Sequence, residues 1–400
     1  MATTRTIVVA GAGIGGLTAA IALAAQGYRI VVLEKAERLE EIGAGLQLSP
    51  NSSRVLSSLG LDAALAARAI APDAVSLMSA RAGGEIARLP LGDMATFRAG
   101  AAYWVIHRAD LQAVLLDAVR GHPDIQLRLG HQFEDAAPHA NGVTVSAQRG
   151  FDRDSVTALA LIGADGVWSA VRHRVFPHSQ PTFSGQIAWR GTLATRQLPR
   201  EMAPKRVQVW MGPNAHIVVY PISGGQRINV AAIVHGDWNR PGWSAPGDPN
   251  EIRALMASGW PALARMTINA VDEFTRYALF TMPDGGIWTK GPFALLGDAS
   301  HAMLPFAAQG AGMAIEDAAV LAKCVGVFGP ATTPASVAAG LLAYAGQRSG
   351  RIARVQRTAR QSGKIYHLRG PMALARDLTI RVLGGKQLLA RQDWIYDWRP

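Results

Sequence analysis

The chain has a single cysteine, and this scarcity limits what the protein can be. With only Cys324 among 400 residues, no internal disulfide can form. Cys324 lies in an apolar helical pattern with Ala318, Leu321 and Ala322, where a small thiol packs as a core residue. Neither C-x-x-C nor H-E-x-x-H occurs, and the ten histidines are spread along the chain. These absences predict a cytoplasmic protein without a metal centre.

Acidic residues are also scarce relative to basic ones. The chain has 29 Asp and Glu against 40 Lys and Arg, which gives a net charge of +11. Such an excess attracts phosphates, small carboxylates, nucleic acid or anionic lipid. The sequence lacks a lysine-rich block and lacks basic residues interleaved with aromatic ones. We therefore interpret the charge as solvated surface that attracts an anionic substrate, with no nucleic acid or membrane partner.

The stretch from Arg5 to Glu34 has the pattern of a dinucleotide-binding unit. The β-branched run from Ile7 to Ala10 predicts a strand buried on both faces, and a small-residue helix follows to about Gln26. Between them the chain reads G-A-G-I-G-G, which has the spacing G-x-G-x-x-G. The charge-free run from Thr6 to Tyr28 is long enough to span a membrane, but its glycines and strand-like start argue against a span.

The glycine turn gives each of its residues a role in holding a cofactor. Gly11 allows the tight turn, Gly13 lets the backbone approach a pyrophosphate, and Gly16 lets helix and strand pack closely. The phosphates would lie at the helix N-terminus, where Ile14 and Gly15 offer free N–H groups. The second strand ends on an acid that is placed to accept hydrogen bonds from a ribose. The candidates at this end of the cofactor are Glu34, Lys35 and Arg38.

Two more glycine-bearing turns follow apolar, strand-like runs. The run from Leu159 to Ile162 leads into G-A-D-G with Asp165, and a later run leads into G-D-A-S-H with Asp298. A helix then opens with G-A-G. Arg108 lies in H-R-A-D-L, where a strand ends and a helix begins, so it could meet a phosphate or a hydroxyl of the cofactor. An ordinary surface arginine that caps local carbonyls is the alternative.

These motifs, taken in order, resemble one enzyme family over essentially the whole chain. The family is the single-component FAD-dependent aromatic hydroxylases, and the salicylate and 3-hydroxybenzoate hydroxylases form the most similar branch. The motifs are GAGIGG, GAGLQLSPN, HRADL, GADGVWSAVR and GDASHAMLPFAAQGAGMAIEDA. The last two are far more specific than the first.

The resemblance implies an α/β fold like that of para-hydroxybenzoate hydroxylase. A Rossmann-type FAD-binding domain would be discontinuous, with an inserted β-sheet substrate domain and C-terminal helices. The implied bounds are 1–71, 101–175 and 283–330 for the FAD domain, 72–100 and 176–282 for the substrate domain, and 331–400 for the helices.

The resemblance also implies cofactor contacts. Asp165 would approach FAD and the nicotinamide donor, and Asp298 would accept a hydrogen bond from the ribityl chain. Backbone N–H groups at a helix N-terminus would face the pyrimidine edge of the flavin, where they favour the reduced, negatively charged state. Pro305 would lie near the flavin carbon that takes up oxygen. The remaining implied contacts are Gln47 and Arg108 at the phosphate and ribityl region and Gly310, Ala311 and Gly312 at the flavin edge.

One strand-like run, V-Q-V-W-M-G-P-N-A-H-I-V-V-Y-P, offers a substrate site. His216, Val218 and Tyr220 are two residues apart, so they share one face of a strand, while Ile217 and Val219 point to the other face. His216 could accept the proton of a substrate hydroxyl, with Tyr220 alongside, and a pKa near 7 would suit that task. A structural histidine with satisfied hydrogen bonds is the alternative.

Other substrate contacts are weaker predictions. The resemblance implies that Gln309 contacts the phenolic oxygen. A substrate carboxylate needs a cation, for which Arg190 and Arg227 are candidates. Apolar side chains should exclude water from the site, and the candidates for this wall are Leu46, Leu48, Val218, Met303 and Phe306.

The resulting hypothesis is an FAD-dependent monooxygenase that uses NADH, in preference to NADPH, and O2. It would hydroxylate a small phenolic acid of the salicylate or hydroxybenzoate type through a flavin hydroperoxide, as a monomer or homodimer. Hydroxylation of a heteroaromatic ring, such as a hydroxypyridine carboxylate or a quinolone, and an oxygen-independent flavin reductase are the alternatives. A second G-x-G-x-x-G and a redox cysteine pair are both absent, which argues against a disulfide reductase.

Overall fold

The computed structural model describes residues 4–39, 44–92, 100–198 and 205–400. Its strands, in chain order, are β1 (Thr6–Ala10), β2 (Arg29–Glu34), β3 (Gly45–Leu48), β4 (Ala74–Ser79), β5 (Gly84–Pro90), β6 (Trp104–His107), β7 (Ile125–Leu129), β8 (Gln132–His139), β9 (Gly142–Arg149), β10 (Asp152–Ala158), β11 (Ala160–Gly163), β12 (Thr182–Ala194), β13 (Arg206–Gly212), β14 (Ala215–Ile222), β15 (Arg227–His235), β16 (Ser244–Gly247), β17 (Phe274–Thr281), β18 (Thr289–Lys290) and β19 (Phe293–Leu295).

The α-helices within the same residues are α1 (Ile14–Ala24), α2 (Pro50–Ser58), α3 (Asp62–Ala66), α4 (Arg108–Gly121), α5 (Ala170–Val175), α6 (Pro249–Leu255), α7 (Ala262–Asn269), α8 (Asp298–His301), α9 (Gly310–Val325), α10 (Pro334–Tyr366), α11 (Gly370–Ala390) and α12 (Asp393–Tyr396). Within the described parts of the chain, we find no helix that is both long and apolar enough to cross a membrane.

A six-stranded sheet carries the glycine turns. Its order is β18-β19-β11-β1-β2-β7, and the five strands from β19 to β7 run parallel. The apolar run predicted as a doubly buried strand is β1, where Ile7, Val8 and Val9 have no exposed surface. Helices α1 and α9 pack on one face of this sheet, and the antiparallel sheet β10-β9-β8 covers the other.

The second large sheet is mixed and has eight strands, in the order β16-β17-β12-β15-β14-β13-β4-β5. Its two faces have separate cores. On the outer face, Ile217 and Val219 of β14 pack with residues of α6 and α7. On the inner face, Val218 and Tyr220 join a cluster that includes Ile380 and other residues of the C-terminal helices. The predicted alternation along β14 is therefore present.

The C-terminal helices close the inner side of the eight-stranded sheet. Helix α10 begins with a capping box, in which the side chains of Thr333 and Ser336 exchange hydrogen bonds with each other's backbone N–H groups, and Pro334 follows the cap. Near its other end, Gly363 lies so close to the ring of Phe306 that an added Cβ atom would be 2.4 Å from it. Helix α10 thus holds the Pro305–Ala307 turn in place.

Candidate active site

The three glycine turns meet at one edge of the six-stranded sheet. They follow β1, β11 and β19, whose carboxyl ends lie side by side because the strands are adjacent and parallel. A Cβ atom on Gly11 would lie 2.5 Å from the carbonyl oxygen of Ala164, and one on Gly15 would lie 2.7 Å from the side chain of Leu296. The first turn therefore contacts both the second and the third, as a common cofactor cleft requires.

The first turn leaves a space where a pyrophosphate is expected. Gly13 precedes α1 without a side-chain cap, so the first N–H groups of this helix have no capping partner. An added Cβ atom at Gly13 would meet no atom within 4 Å. Open space in front of uncapped N–H groups, at the positive end of the helix dipole, fits an anionic group.

Glu34 is held against this turn by the backbone. Its Oε2 accepts the N–H of Ala12 at 2.8 Å, and its Oε1 accepts the N–H of Ala36 at 2.9 Å. Each carboxylate oxygen keeps a further lone pair, which leaves capacity for ribose hydroxyls. Lys35 and Arg38 follow with exposed side chains. The geometry suits the predicted role of Glu34.

Asp165 in the second turn has one satisfied and one unsatisfied oxygen. Its Oδ2 accepts the N–H groups of Ala170 at 2.7 Å and Val171 at 3.1 Å at the start of α5. Its Oδ1 is buried and has no partner among the described residues. Burial raises the pKa of this carboxyl. A buried acceptor without a donor, beside Gly11, is a place where a cofactor hydroxyl would fit.

The third turn presents Asp298 to the open side of the cleft. Gly297 has φ 63° and ψ −139°, a conformation that glycine alone adopts readily. Its N–H donates to Asp317 Oδ2 at 3.1 Å, which fixes the turn from behind. Asp298 itself is exposed at the first position of α8. Its carboxylate is therefore accessible from the cleft, as the predicted ribityl contact requires.

Helix α9 also begins without a side-chain cap. It starts at Gly310 and Ala311, and Gln309 is the preceding residue. An added Cβ atom at Gly310 would meet no atom within 4 Å, whereas one at Gly312 would lie 3.1 Å from Gln309 Oε1. The uncapped N–H groups at this end match the expected contact with the flavin edge.

Gln47 lies on β3, and Arg108 is the first residue of α4, directly after β6. Strand β3 pairs with β6, and the N–H of Arg108 donates to the carbonyl of Ala44 at 3.2 Å. The side-chain oxygen of Gln47 accepts the hydroxyl of Tyr103 at 2.5 Å, and the Arg108 side chain is exposed. Gly43, at the start of this motif, lies outside the described residues.

The inner face of the eight-stranded sheet carries His216 in a fully buried position. His216 is 1% exposed, and its ring lies 5.1 Å from that of Phe306 and 5.3 Å from that of Tyr366, centroid to centroid. Its Nδ1 is 2.8 Å from Nε2 of His367. Burial and then the neighbouring His367 lower the pKa of His216 well below its ordinary value. The expectation of a pKa near 7 is therefore wrong.

Tyr220 lies further along the same face, against β3. An added Cβ atom on Gly45 would be 2.5 Å from its ring, and the N–H of Gly45 donates to Asn229 Oδ1 at 2.7 Å. Burial raises the pKa of Tyr220, and Arg190 only partly opposes this shift. The phenol is thus neutral at physiological pH and able to donate a hydrogen bond.

Gln309 is anchored inside the protein. Its side-chain nitrogen donates to Ser49 Oγ at 2.8 Å, and its oxygen accepts the amide of Asn51 at 3.1 Å. The same Asn51 amide donates to Glu316 Oε1 at 2.6 Å. The Gln309 amide is therefore held by Ser49 and Asn51 at the start of α2, and a contact between Gln309 and a phenolic oxygen stays a prediction.

Arg190 and Arg227 line one cleft of about 400 Å³ beside Ala44. The Arg227 guanidinium donates to the hydroxyl of Thr192. The Arg190 guanidinium lies 5.6 Å from the centroid of the Tyr277 ring, and its Nε is buried without a partner among the described residues. Burial lowers the pKa of Arg190, with Arg108 adding to this shift. Of the two candidates, Arg190 is the one with a buried guanidinium nitrogen that lacks a hydrogen-bond partner in the part of the chain that the structure describes, so it is the better candidate to bind an anion.

The comparisons with known proteins agree with this geometry. Residues 3–359 match the family described as the FAD binding domain. The chain is also 36% identical, over 98% of its length and 95% of the relative's, to 3-amino-4-hydroxybenzoate 2-monooxygenase PtmB3 of Streptomyces platensis. The chain belongs to this family of FAD-binding monooxygenases.

Other members of the family support the same assignment. The 3-hydroxybenzoate 6-hydroxylase of Klebsiella oxytoca is 31% identical over 100% of this chain and 98% of that protein. The crystal structure of Klebsiella pneumoniae HpxO complexed with FAD and uric acid has a TM-score of 0.82 at 26% identity, covering 96% of this chain and 95% of that one. The predicted family, α/β fold and FAD cofactor are confirmed.

Several residues that pack near His216 or Tyr220 on the inner face have no signal in the sequence. His367 and Tyr366 come from the end of α10, and Tyr103 precedes β6. Tyr103 and Tyr396 pack edge to face at 6.0 Å between centroids. The sequence indicated that a buried His216 needs a hydrogen-bond partner, but no pattern in it identified that partner as His367. Their positions depend on how the C-terminal helices dock onto the sheet.

Proposed function

We propose that this enzyme hydroxylates a small phenolic acid, using NADH and O2. The relatives named above act, by their names, on hydroxybenzoates. The observation that carries the proposal is that Phe306 joins His216 to the uncapped start of α9. Phe306 bridges the two, because it contacts the His216 ring and precedes α9 by a few residues. A phenol bound beside Phe306 would lie between a proton acceptor and the flavin edge.

Each chain residue has a defined task in the proposal. FAD, when bound, supplies the reduction of O2 and the transfer of one electrophilic oxygen to the ring. His216 Nε2 has no partner among the described residues, so it can accept the phenolic proton and make the ring more electron-rich. Tyr220 can donate a hydrogen bond to the substrate, and Arg190 can pair with its carboxylate. Phe306 and Leu304 supply apolar surface that excludes water.

The cofactor would lie along the three turns. The adenosine and pyrophosphate would contact the stretch Gly11–Gly16 and Glu34, and Pro305 would lie near the reacting part of the flavin. Asp165 would approach FAD at the second turn, and Asp298 would bind the ribityl chain. The phosphate and ribityl region would contact Gln47 and Arg108, and the flavin edge would contact Gly310–Gly312. We infer NADH as the donor from the branch of the family that the sequence resembles. A ratio of kcat/KM that favours NADH over NADPH would support this choice.

The test is substrate-stimulated NADH oxidation by the FAD-loaded enzyme. Salicylate, 3-hydroxybenzoate and 3-amino-4-hydroxybenzoate are offered separately, and NADH oxidation, O2 uptake, product and hydrogen peroxide are measured. One of them should give a hydroxylated product in step with NADH and O2 consumption. The variant His216→Ala should keep FAD but lose about tenfold or more of the hydroxylation rate, whereas the exposed His178→Ala should match the wild type. Product formation at the wild-type rate by His216→Ala would contradict the assignment.

A heteroaromatic substrate is the second candidate. The FAD complex of HpxO, which this structure resembles, contains uric acid. The panel therefore also includes urate and 6-hydroxynicotinate. Turnover of these compounds, without turnover of the phenolic acids, would select this alternative. Substrate reduction under anaerobic conditions would instead select a flavin reductase.

A further inference from the structure

His216 and His367 form a buried hydrogen-bonded pair. The 2.8 Å contact joins Nδ1 of His216 to Nε2 of His367, and the two residues are 1% and 9% exposed. When both rings are neutral, one nitrogen of this contact carries the hydrogen and the other accepts it. A proton taken up at Nε2 of His216 can therefore be balanced by release of the hydrogen on its Nδ1.

The backbone fixes His367 opposite His216. His367 is the C-cap that follows the last residue of α10, and its N–H donates to the carbonyl of Gly363 at 3.1 Å. Its own carbonyl accepts the N–H of Asn214, in the turn just before β14, at 3.2 Å. The ring is thus held between the helix and the strand that carries His216.

A third histidine continues the path outward. His235 is the last residue of β15 and is exposed, and its ring centroid lies 5.4 Å from that of His367. The three rings lead from the buried inner face of the sheet to the surface.

The surroundings do not stabilise a charged imidazole in this path. Tyr366 of α10 adjoins His367, and Arg376 of α11 donates to the carbonyl of Tyr366 while it pairs with Asp377 at 2.8 Å. Among the described residues, no carboxylate contacts either buried imidazole. Burial lowers the pKa of His216 well below its ordinary value, and burial with His235 lowers the pKa of His367 to about 4. A proton accepted by His216 therefore has to move on.

We propose that His367 is a positioning residue that passes the phenolic proton from His216 towards solvent, with His235 as the outer group. This proposal rests on the proposed function. The phenolic O–H proton moves to Nε2 of His216, the hydrogen on its Nδ1 moves to Nε2 of His367, and the hydrogen on Nδ1 of His367 leaves towards His235 and water. One proton enters and one leaves, so both rings end neutral. The reverse transfer restores them when the product oxygen is protonated.

The variant His367→Gln separates the hydrogen bond that positions His216 from the transfer of a proton. Its amide oxygen can accept the hydrogen bond from Nδ1–H of His216 near the position of Nε2, but an amide does not relay a proton. The experiment mixes the oxidised, FAD-loaded enzyme with 3-hydroxybenzoate and a pH-indicator dye in a stopped-flow instrument. Proton release should be about tenfold or more slower in His367→Gln, with a shifted pH profile of kcat and little change in substrate affinity. His178→Gln should behave as the wild type.

Two further measurements keep the proposal testable if His367→Gln does not fold. The surface variant His235→Asn should slow proton release by about threefold without loss of FAD. In ¹⁵N-histidine-labelled protein, His216 and His367 should show one shared hydrogen and remain neutral down to about pH 5. Release at the wild-type rate in His235→Asn and His367→Gln, or separate titration of the two rings near pH 6.5, would overturn the proposal.

Failure of the relay and failure of the proposed function give different results. If no phenolic acid stimulates NADH oxidation by the wild type, the proposed function fails, and the NMR titration still decides whether the histidine pair exists. If the wild type turns over and His367→Gln keeps its proton-release rate and pH profile, only the relay fails.

Discussion

Gly13 and Gly16 lie in the same turn, but alanine at the two positions should have opposite consequences. At Gly13 the backbone has φ −74° and ψ 178°, which alanine adopts without strain, and an added Cβ atom meets no atom within 4 Å. Restriction of the unfolded chain should then stabilise Gly13→Ala by about 0.4–1 kcal/mol. At Gly16 the added Cβ atom would lie 2.0 Å from the carbonyl oxygen of Gly11. The backbone must shift to relieve this overlap, which costs about 1–3 kcal/mol.

Binding of FAD should reverse this ranking for Gly13. The space beside Gly13 lies in front of the uncapped N-terminus of α1, where the pyrophosphate needs close approach to the backbone. A methyl group there would hold the phosphates away from the N–H groups. The loss of one helix-terminus interaction with a dianionic group is about 1–2 kcal/mol, so the dissociation constant of FAD should rise about tenfold.

The two variants are compared with the wild type after removal of FAD. Thermal melts of the apoproteins give stability, and quenching of FAD fluorescence on titration gives affinity. Gly13→Ala should melt at or above the wild-type temperature while it binds FAD more weakly, and Gly16→Ala should melt lower. Wild-type FAD affinity in Gly13→Ala would refute the inference that the space is reserved for the cofactor.

Three other predictions concern buried ionisable side chains. Replacement of Arg348 by Met leaves the buried carboxylate of Glu316 without one of its guanidinium partners, which lies at 2.6 Å, so urea melts should show a loss of about 3–5 kcal/mol. Arg190→Gln should raise KM for carboxylated phenols about tenfold in steady-state assays while KM for the matching phenols without a carboxylate stays unchanged. Since the folded pKa of His367 is about 4, below that of the unfolded chain, its stabilising contribution is present above about pH 6.5 and is lost as the pH falls towards 4. Melting temperatures of His367→Asn should therefore depend less on pH in this window than those of the wild type or of His178→Asn.

Local sequence signals were sufficient for the strands and turns that carry the predicted cofactor contacts. The first strand, predicted at Ile7 to Ala10, is observed at Thr6–Ala10, and the second ends on Glu34, the acid predicted to close it. These elements are set by short-range features: a doubly apolar run, a glycine turn and an acid at a strand end. Because adjacent parallel strands place their carboxyl ends at one edge, the three turns converge there.

The substrate half depends on contacts that no local pattern encodes. His216 and His367 are 151 positions apart and meet only because α10 docks across the inner face. The same docking sets the burial that lowers the pKa of His216, so an ordinary pKa was the natural but wrong expectation. Gln309 precedes the predicted glycines, yet its amide is held by Ser49 and Asn51, whose positions follow from packing between α2 and α9.

A buried ionic cluster behind α9 links the C-terminal helices to the cofactor turns. Asp317 accepts the N–H of Gly297 at the third turn, while Glu316 accepts the amide of Asn51, which in turn holds the residue that precedes α9. Arginines of α10 pair with both carboxylates. Burying several ions costs several kcal/mol each before they pair, so stability alone is a poor reason for such a cluster. Its geometric effect is more specific, because one rigid unit fixes both the third glycine turn and the start of α9.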